Sequence, residues 1–205
     1  MSELTPIEFY FDVASPYSYL AATQIEDFAA EVGRPTRWVP FLLGGVFRAT
    51  GNEMPARIKE KAAWMFRDLR MSTQMLGIPF RFPSAFPINT VAHQRALIAA
   101  EAEGGQEALR ALAKAFFEAY FGAGQDITQG EWFRTAAAKA GLAVEPLLAA
   151  NDDPAIKAKL VENTEQAVAR GAFGAPTFFI GDSLFWGHDR FETIRWYLEH
   201  VRTED

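Results

Sequence analysis

A serine standing where a strand hands over to a helix is a candidate anion-holding group, and Ser15 is such a serine. Ile7-Glu8-Phe9-Tyr10-Phe11-Asp12-Val13 alternates and is rich in β-formers, and Ala14-Ser15-Pro16-Tyr17 follows at once. Ser15 is a preferred N-cap, and Pro16 suits the first helical position, whose missing N–H would have had no intrahelical partner. Free backbone N–H groups and roughly half a positive charge collect at such a terminus, so an anion beside Ser15 is stabilised. The Ser-Pro pair alone describes no more than a cap.

A second candidate lies near the other end of the chain, at Gly174-Ala175-Pro176-Thr177. A proline at the first residue of a strand cannot donate to the ladder, which leaves the backbone before it free to bind something extended. A cis Ala175–Pro176 bond would present a fixed edge there, and a plain strand-entry proline is the other reading. Asp189, after His188, reads as a first-turn acid or N-cap of the last helix. His93, His188 and His200 show no metal-ligand spacing, so no metal is expected. The chain has no cysteine, which excludes disulfides, thiolate metal sites and a protein-thiol nucleophile.

These residues need elements to hold them. After Ser15 an apolar stripe of Ala21, Ile25, Phe28 and Val32 predicts one helix, ended by Gly33 and Pro35. Arg37-Trp38-Val39-Pro40-Phe41 reads as a second strand, and Gly44-Gly45 and Gly51-Asn52 bracket a loop. Helical patterns then run over about 56–77, 89–104, 106–121, 129–141 and 153–170, so the middle of the chain is an all-helical block. Within it, Ile78-Pro79-Phe80-Arg81-Phe82-Pro83-Ser84-Ala85-Phe86-Pro87 cannot be helical throughout and is suited to wall a pocket. Strands at 176–180 and 184–187, joined by Gly181-Asp182-Ser183, form a hairpin before a last helix striped by Phe191, Ile194, Tyr197, Leu198 and Val201.

The 205 residues carry a formal net charge of −6 and no basic run, which argues against a nucleic-acid partner. Arg57 to Lys61 with Arg67 and Arg70 reads as a solvated helix face, broken by Glu60 and Asp68. No stretch of about 18 apolar residues is present, and the first residues resemble no secretion signal, so a cytoplasmic protein is expected.

The order β-α-β, helical block, β-β-α, entered through an X-Pro step, resembles the thioredoxin-like fold in its DsbA-like form, an α/β fold with a large all-helical insertion. On that pattern residues 1–53 and 172–205 form the thioredoxin-like domain and 54–171 the insertion. More narrowly, the run Phe9 to Leu20, Gly51-Asn52, Phe173-Gly174-Ala175-Pro176-Thr177-Phe178-Phe179 and Phe185-Trp186-Gly187-His188-Asp189-Arg190 are similar to 2-hydroxychromene-2-carboxylate isomerases and the related kappa-class glutathione transferases. In redox members of the fold, a Cys-x-x-Cys pair occupies the place of Ser15-Pro16-Tyr17-Ser18. Serine at both ends removes that chemistry.

The resemblance implies glutathione as cofactor, with Ser15 hydrogen-bonding its sulfur. The Ala175 backbone before Pro176 would pair with the cysteinyl part, Asn52 would contact the glycyl end, and His188 with Asp189 would bind the γ-glutamyl group. It implies a small aromatic substrate, an unsaturated aryl pyruvate, isomerised by reversible thiolate addition, and a homodimer. Arg48 stands where the isomerase pattern carries a lysine. Phe86 is the candidate substrate contact, in a segment that the isomerase pattern makes more polar. A kappa-like transferase that conjugates small electrophiles is the alternative, and a non-catalytic thioredoxin-fold binding protein a further one. Tyr120, Phe121 and Trp132 belong either to a dimer interface or to the core.

Overall fold

The computed structural model describes residues 4–201. Four strands form one mixed sheet: β1 (Ile7–Phe11), β2 (Thr36–Pro40), β3 (Thr177–Ile180) and β4 (Ser183–Trp186), in the order β2-β1-β3-β4. β1 runs parallel to β2, with Phe9 opposite Trp38, and antiparallel to β3, with Phe9 opposite Phe178. β3 and β4 form the expected hairpin.

The alternation read in β1 sorts its side chains between two cores. Ile7, Phe9 and Phe11 face the larger one, where Phe9 packs edge-on against Trp38 at 4.9 Å and parallel to Phe178 at 5.3 Å. Tyr10 faces the smaller one with Val39, Phe41 and Phe179. Both faces of the sheet are therefore covered, as its near-continuous apolar strands require.

The helices between β1 and β2 are α1 (Pro16–Ala22) and α2 (Ile25–Glu31). The single helix expected there is interrupted at Thr23–Gln24, although the apolar stripe continues across the break. Between β2 and β3 come α3 (Leu43–Thr50), α4 (Lys59–Leu76), α5 (Val91–Phe117), α6 (Gly130–Lys139), α7 (Val144–Ala149) and α8 (Pro154–Ala169). The loop expected across Gly44-Gly45 is α3, and α7 was not anticipated. α3 can pack closely on α8 because Gly45 lies beneath Thr164: a Cβ there would meet the threonine methyl at 2.9 Å. Gly51, at φ 69°, ends it. The separation of two patterns at residue 105 corresponds to a kink in α5, where Gly105 has φ 67°.

α9 (Phe191–His200) closes the chain, with Phe191 and Ile194 buried and Val201 exposed beyond its end. Tyr120 and Phe121 are fully buried and belong to the core, and Trp132 packs against it. The basic side chains of 57–70 are exposed as expected. Among the described residues no helix is long and apolar enough to cross a membrane.

Candidate active site

Ser15 lies at the junction of β1 and α1 with φ −89° and ψ 114°, outside the helix that it caps. Its Oγ accepts the N–H of Ser18 at 3.1 Å and donates to the carbonyl of Ala175, also at 3.1 Å. The cap and the contact with the strand-entry loop are thus made by one hydroxyl, across 160 residues of sequence. Only 3% of Ser15 is exposed.

The loop that receives it has a cis Ala175–Pro176 bond. Its carbonyls are used in order: Gly174 accepts from Thr177 Oγ1 at 2.8 Å, Ala175 from Ser15, and Pro176 from the N–H of Gly187 at 3.1 Å. The N–H of Ala175 has no backbone partner among the described residues. Gly174 is needed for the packing here, since a Cβ would stand 2.5 Å from the indole nitrogen of Trp186.

Asn52 reaches the same loop. The left-handed turn at Gly51 carries it beyond α3, and its Nδ2 donates to the carbonyl of Phe173 at 3.1 Å. Phe173 in turn packs on Trp186, ring centres 4.9 Å apart. Arg48 is exposed in the last turn of α3, where a cation suits the helix dipole, and no ion pair holds it among the described residues.

A second group of side chains gathers around Tyr17, two residues after Ser15. The Tyr17 ring stacks on His188 at 5.1 Å, and its hydroxyl donates to Asp68 Oδ2 of α4 at 2.8 Å. Burial, then the Asp68 carboxylate, push the Tyr17 phenol well above its ordinary range, so it remains a donor. Burial lowers His188 despite the opposing charges of Asp189 and Asp68, which keeps the imidazole neutral at pH 7. Both oxygens of Asp189 are engaged by Arg190, at 3.2 and 2.5 Å, and that contact holds the carboxyl below its usual range. Asp189 is not the N-cap of α9: Arg190 occupies that position, and among the described residues its side chain makes no capping bond to the helix. Tyr17 and Asp68 were missed in the sequence because they meet across 51 residues.

Phe86 is half-buried in the 78–87 segment. It meets Phe82 at 4.8 Å and Phe121 at 6.5 Å, and Phe82 meets Phe66 of α4 at 4.4 Å. The Phe86–Pro87 bond is cis. Tyr120, in the π-helical turn Glu118–Gly122 that follows α5, anchors the segment by donating to the carbonyl of Ala85 at 2.8 Å. The structure thus joins Ser15, Ala175, Pro176 and, through Phe173, Asn52. His188 and Asp189 join Tyr17 and Asp68 beside them, while Arg48 and Phe86 stand on separate arms. A cavity of about 500 Å³, lined by Tyr19, Pro79, Ala119 and Trp132 among others, includes none of the candidate residues.

Comparison with known proteins gives four findings. The DSBA-like thioredoxin domain family matches residues 6–199. The chain is 31% identical to a 2-hydroxychromene-2-carboxylate isomerase of Sphingobium xenophagum, over 94% of its own length and 97% of the relative's. It is also 31% identical to the kappa 2 glutathione S-transferase of Caenorhabditis elegans, over 94% and 91%. Among solved structures, a 2-hydroxychromene-2-carboxylate isomerase superposes with a TM-score of 0.82 at 27% identity, covering 95% of each chain.

Proposed function

Because the chain belongs to the DsbA-like thioredoxin family, in the group of 2-hydroxychromene-2-carboxylate isomerases and kappa-class glutathione transferases, we propose that it is a glutathione-dependent cis-trans isomerase of an unsaturated aromatic pyruvate. The observation that carries the reading is the Ser15 hydroxyl held against the Ala175 carbonyl beside Pro176. A turn without cysteine leaves the nucleophile to a bound thiol.

The donor set suits a γ-glutamyl tripeptide. A hydroxyl is available for the sulfur, an unpaired backbone N–H at Ala175 for a cysteinyl carbonyl, and an amide at Asn52 for the glycyl carboxylate. Asp68 and Asp189, grouped around His188 and Tyr17, suit an ammonium. Asp68 is the freer of the two, since Asp189 would meet its ligand as half of an ion pair.

When bound, glutathione supplies the thiolate that adds to the conjugated double bond and leaves once rotation has occurred. The protein's part is to hold that charge and the charge that develops on the substrate. With glutathione bound, Ser15 would donate to the sulfur in place of Ala175, and the Ala175 carbonyl would then be open to the cysteinyl N–H. A hydrogen bond to a charged group contributes about 1.5–3 kcal/mol, enough to lower a thiol's pKa by about 1–2 units. Arg48, in place of a lysine but with a planar fork of donors, would offer its cation to the carboxylate of the substrate and to the negative charge that develops on it. Phe82 and Phe86 exclude water from the reacting bond. A cytoplasmic homodimer belongs to the same proposal.

The apolar 80–86 segment, which offers neither phenol nor side-chain amide to a substrate, favours a second reading: a kappa-like transferase of small apolar electrophiles. Stoichiometry separates the two. With glutathione far below the concentration of an unsaturated aryl pyruvate, an isomerase converts many equivalents and leaves the thiol intact. Consumption of one thiol per product would replace the isomerase by the transferase.

A further inference from the structure

Asp12 is a buried carboxylate, 3% exposed, at the end of β1. Its Oδ1 accepts the N–H of Ala14 at 2.9 Å and the hydroxyl of Thr90 at 2.7 Å, and its Oδ2 accepts the N–H of Leu43 at 2.9 Å. Its own carbonyl accepts the N–H of Ser15 at 2.9 Å. The two N–H groups can only donate, and with the Thr90 hydroxyl donating as well they favour the ionised form against burial, which raises the carboxyl's pKa. No cation shares its charge among the described residues. Burying a carboxylate without a cation is costly, and a chain that needed only packing here would do better with an apolar residue.

The three donors belong to three of the arms that carry the candidate site. Ala14 precedes Ser15. Leu43 begins α3, which carries Arg48 and leads through Gly51 to Asn52. Thr90 follows the segment of Phe86 and precedes α5. We propose that Asp12 is a positioning residue that fixes the Ser15 hydroxyl relative to the arms bearing Asn52 and Phe86, and so sets how firmly the bound thiol is held as thiolate. The proposal rests on the glutathione reading above. A hydroxyl must be held within about 0.5 Å to serve a reacting group, and a single carboxylate shared by three arms provides such a tie.

The test reads the ultraviolet thiolate band of bound glutathione across pH, which gives the ionisation midpoint of its thiol. Two variants keep a carboxyl group at the end of β1 and alter how it is held. Asp12→Glu adds a methylene and cannot meet all three donors at once, and Thr90→Val deletes one donor while keeping its shape. Tyr120, whose ionisation feels the Asp12 charge, is retained in both. Each variant should raise the midpoint and lower the thiolate-to-thiol ratio near neutrality by about threefold or more. In a Ser15→Ala background neither should shift it further, since Asp12 acts through Ser15. Folded variants with an unchanged midpoint, whatever their melting temperature, overturn the proposal alone. A wild-type chain that forms no bound thiolate overturns the proposal and the glutathione reading together. If Asp12→Glu does not fold, Thr90→Val decides the matter.

Discussion

Ser15→Ala separates the two tasks of one hydroxyl. Removing Oγ deprives the Ser18 N–H of its acceptor and the Ala175 carbonyl of its donor, both at a residue only 3% exposed. The lost cap costs about 1 kcal/mol and the lost contact with Ala175 about 1 more. At about 2–4 °C per kcal/mol for a chain of this size, the melting temperature should fall by about 4–8 °C. The second task has a different size and a different readout. Losing a hydrogen bond to a charged sulfur should raise the midpoint of the bound thiol by about 1–2 units, a fall in the thiolate-to-thiol ratio of about 10–100-fold. Affinity for the neutral thiol form, which depends on the rest of the tripeptide, should change by no more than about threefold. Calorimetric melting, glutathione titration in mild acid and the thiolate band across pH measure the three quantities separately. A variant that melts lower but keeps the wild-type thiol midpoint would reduce Ser15 to a helix cap and refute the assigned role.

Other outcomes follow from the same geometry. Asp189→Ala and Asp68→Asn should each weaken glutathione binding, Asp68→Asn by roughly tenfold because, among the described residues, its carboxylate is not already paired with an arginine; unchanged dissociation constants for both would remove this end from the site. Gln94, whose amide donates to the carbonyls of Phe11 and Phe41 at 2.8 Å each, should cost about 1–2 kcal/mol as Gln94→Leu in urea unfolding. The loss falls on Phe41, because the Phe11 carbonyl keeps the N–H of Phe41, and an unchanged urea midpoint would contradict it. His93 is buried with Nδ1 unpartnered, and burial holds its pKa below the usual value. The unfolded chain therefore takes up this proton first as pH falls below about 6.5, and the stability present above that pH is lost toward acid. The urea midpoint should drop between about pH 7.5 and 5.5, and drop less in His93→Gln; equal slopes would exclude His93 as the cause.

The frame of the site was legible because local rules carry it. Ser15 before Pro16 is a cap in sequence and in structure, the alternation of Ile7, Phe9 and Phe11 does point to one face, and Gly181-Asp182 does turn a hairpin. The contacts that complete the site are long-range, and no local pattern encodes them. Asp68 looked like one acid on a solvated helix face, yet its carboxylate is the acceptor for Tyr17. Asp12 stands in the sequence only as one residue of the run Ile7 to Val13, while its three donors come from residues 14, 43 and 90. The same applies to α3: two adjacent glycines read as a loop until Thr164 of α8 is known to press against Gly45. The break after α1 escaped for the converse reason, since the apolar stripe runs through Thr23–Gln24 without a glycine or proline to mark it.

The central claim is that this chain binds glutathione and holds it as the thiolate. Calorimetric titration of the wild-type protein with glutathione at neutral pH, repeated in two buffers of different ionisation enthalpy, tests it most directly. The account predicts saturable binding with about 0.2–0.7 proton released per glutathione bound at pH 7, as a thiol of pKa about 8.5 lowered by about 1–2 units partly ionises on entering the site. Saturation without proton release would leave a binding protein with no activated nucleophile, and the absence of binding heat in both buffers would contradict the account outright.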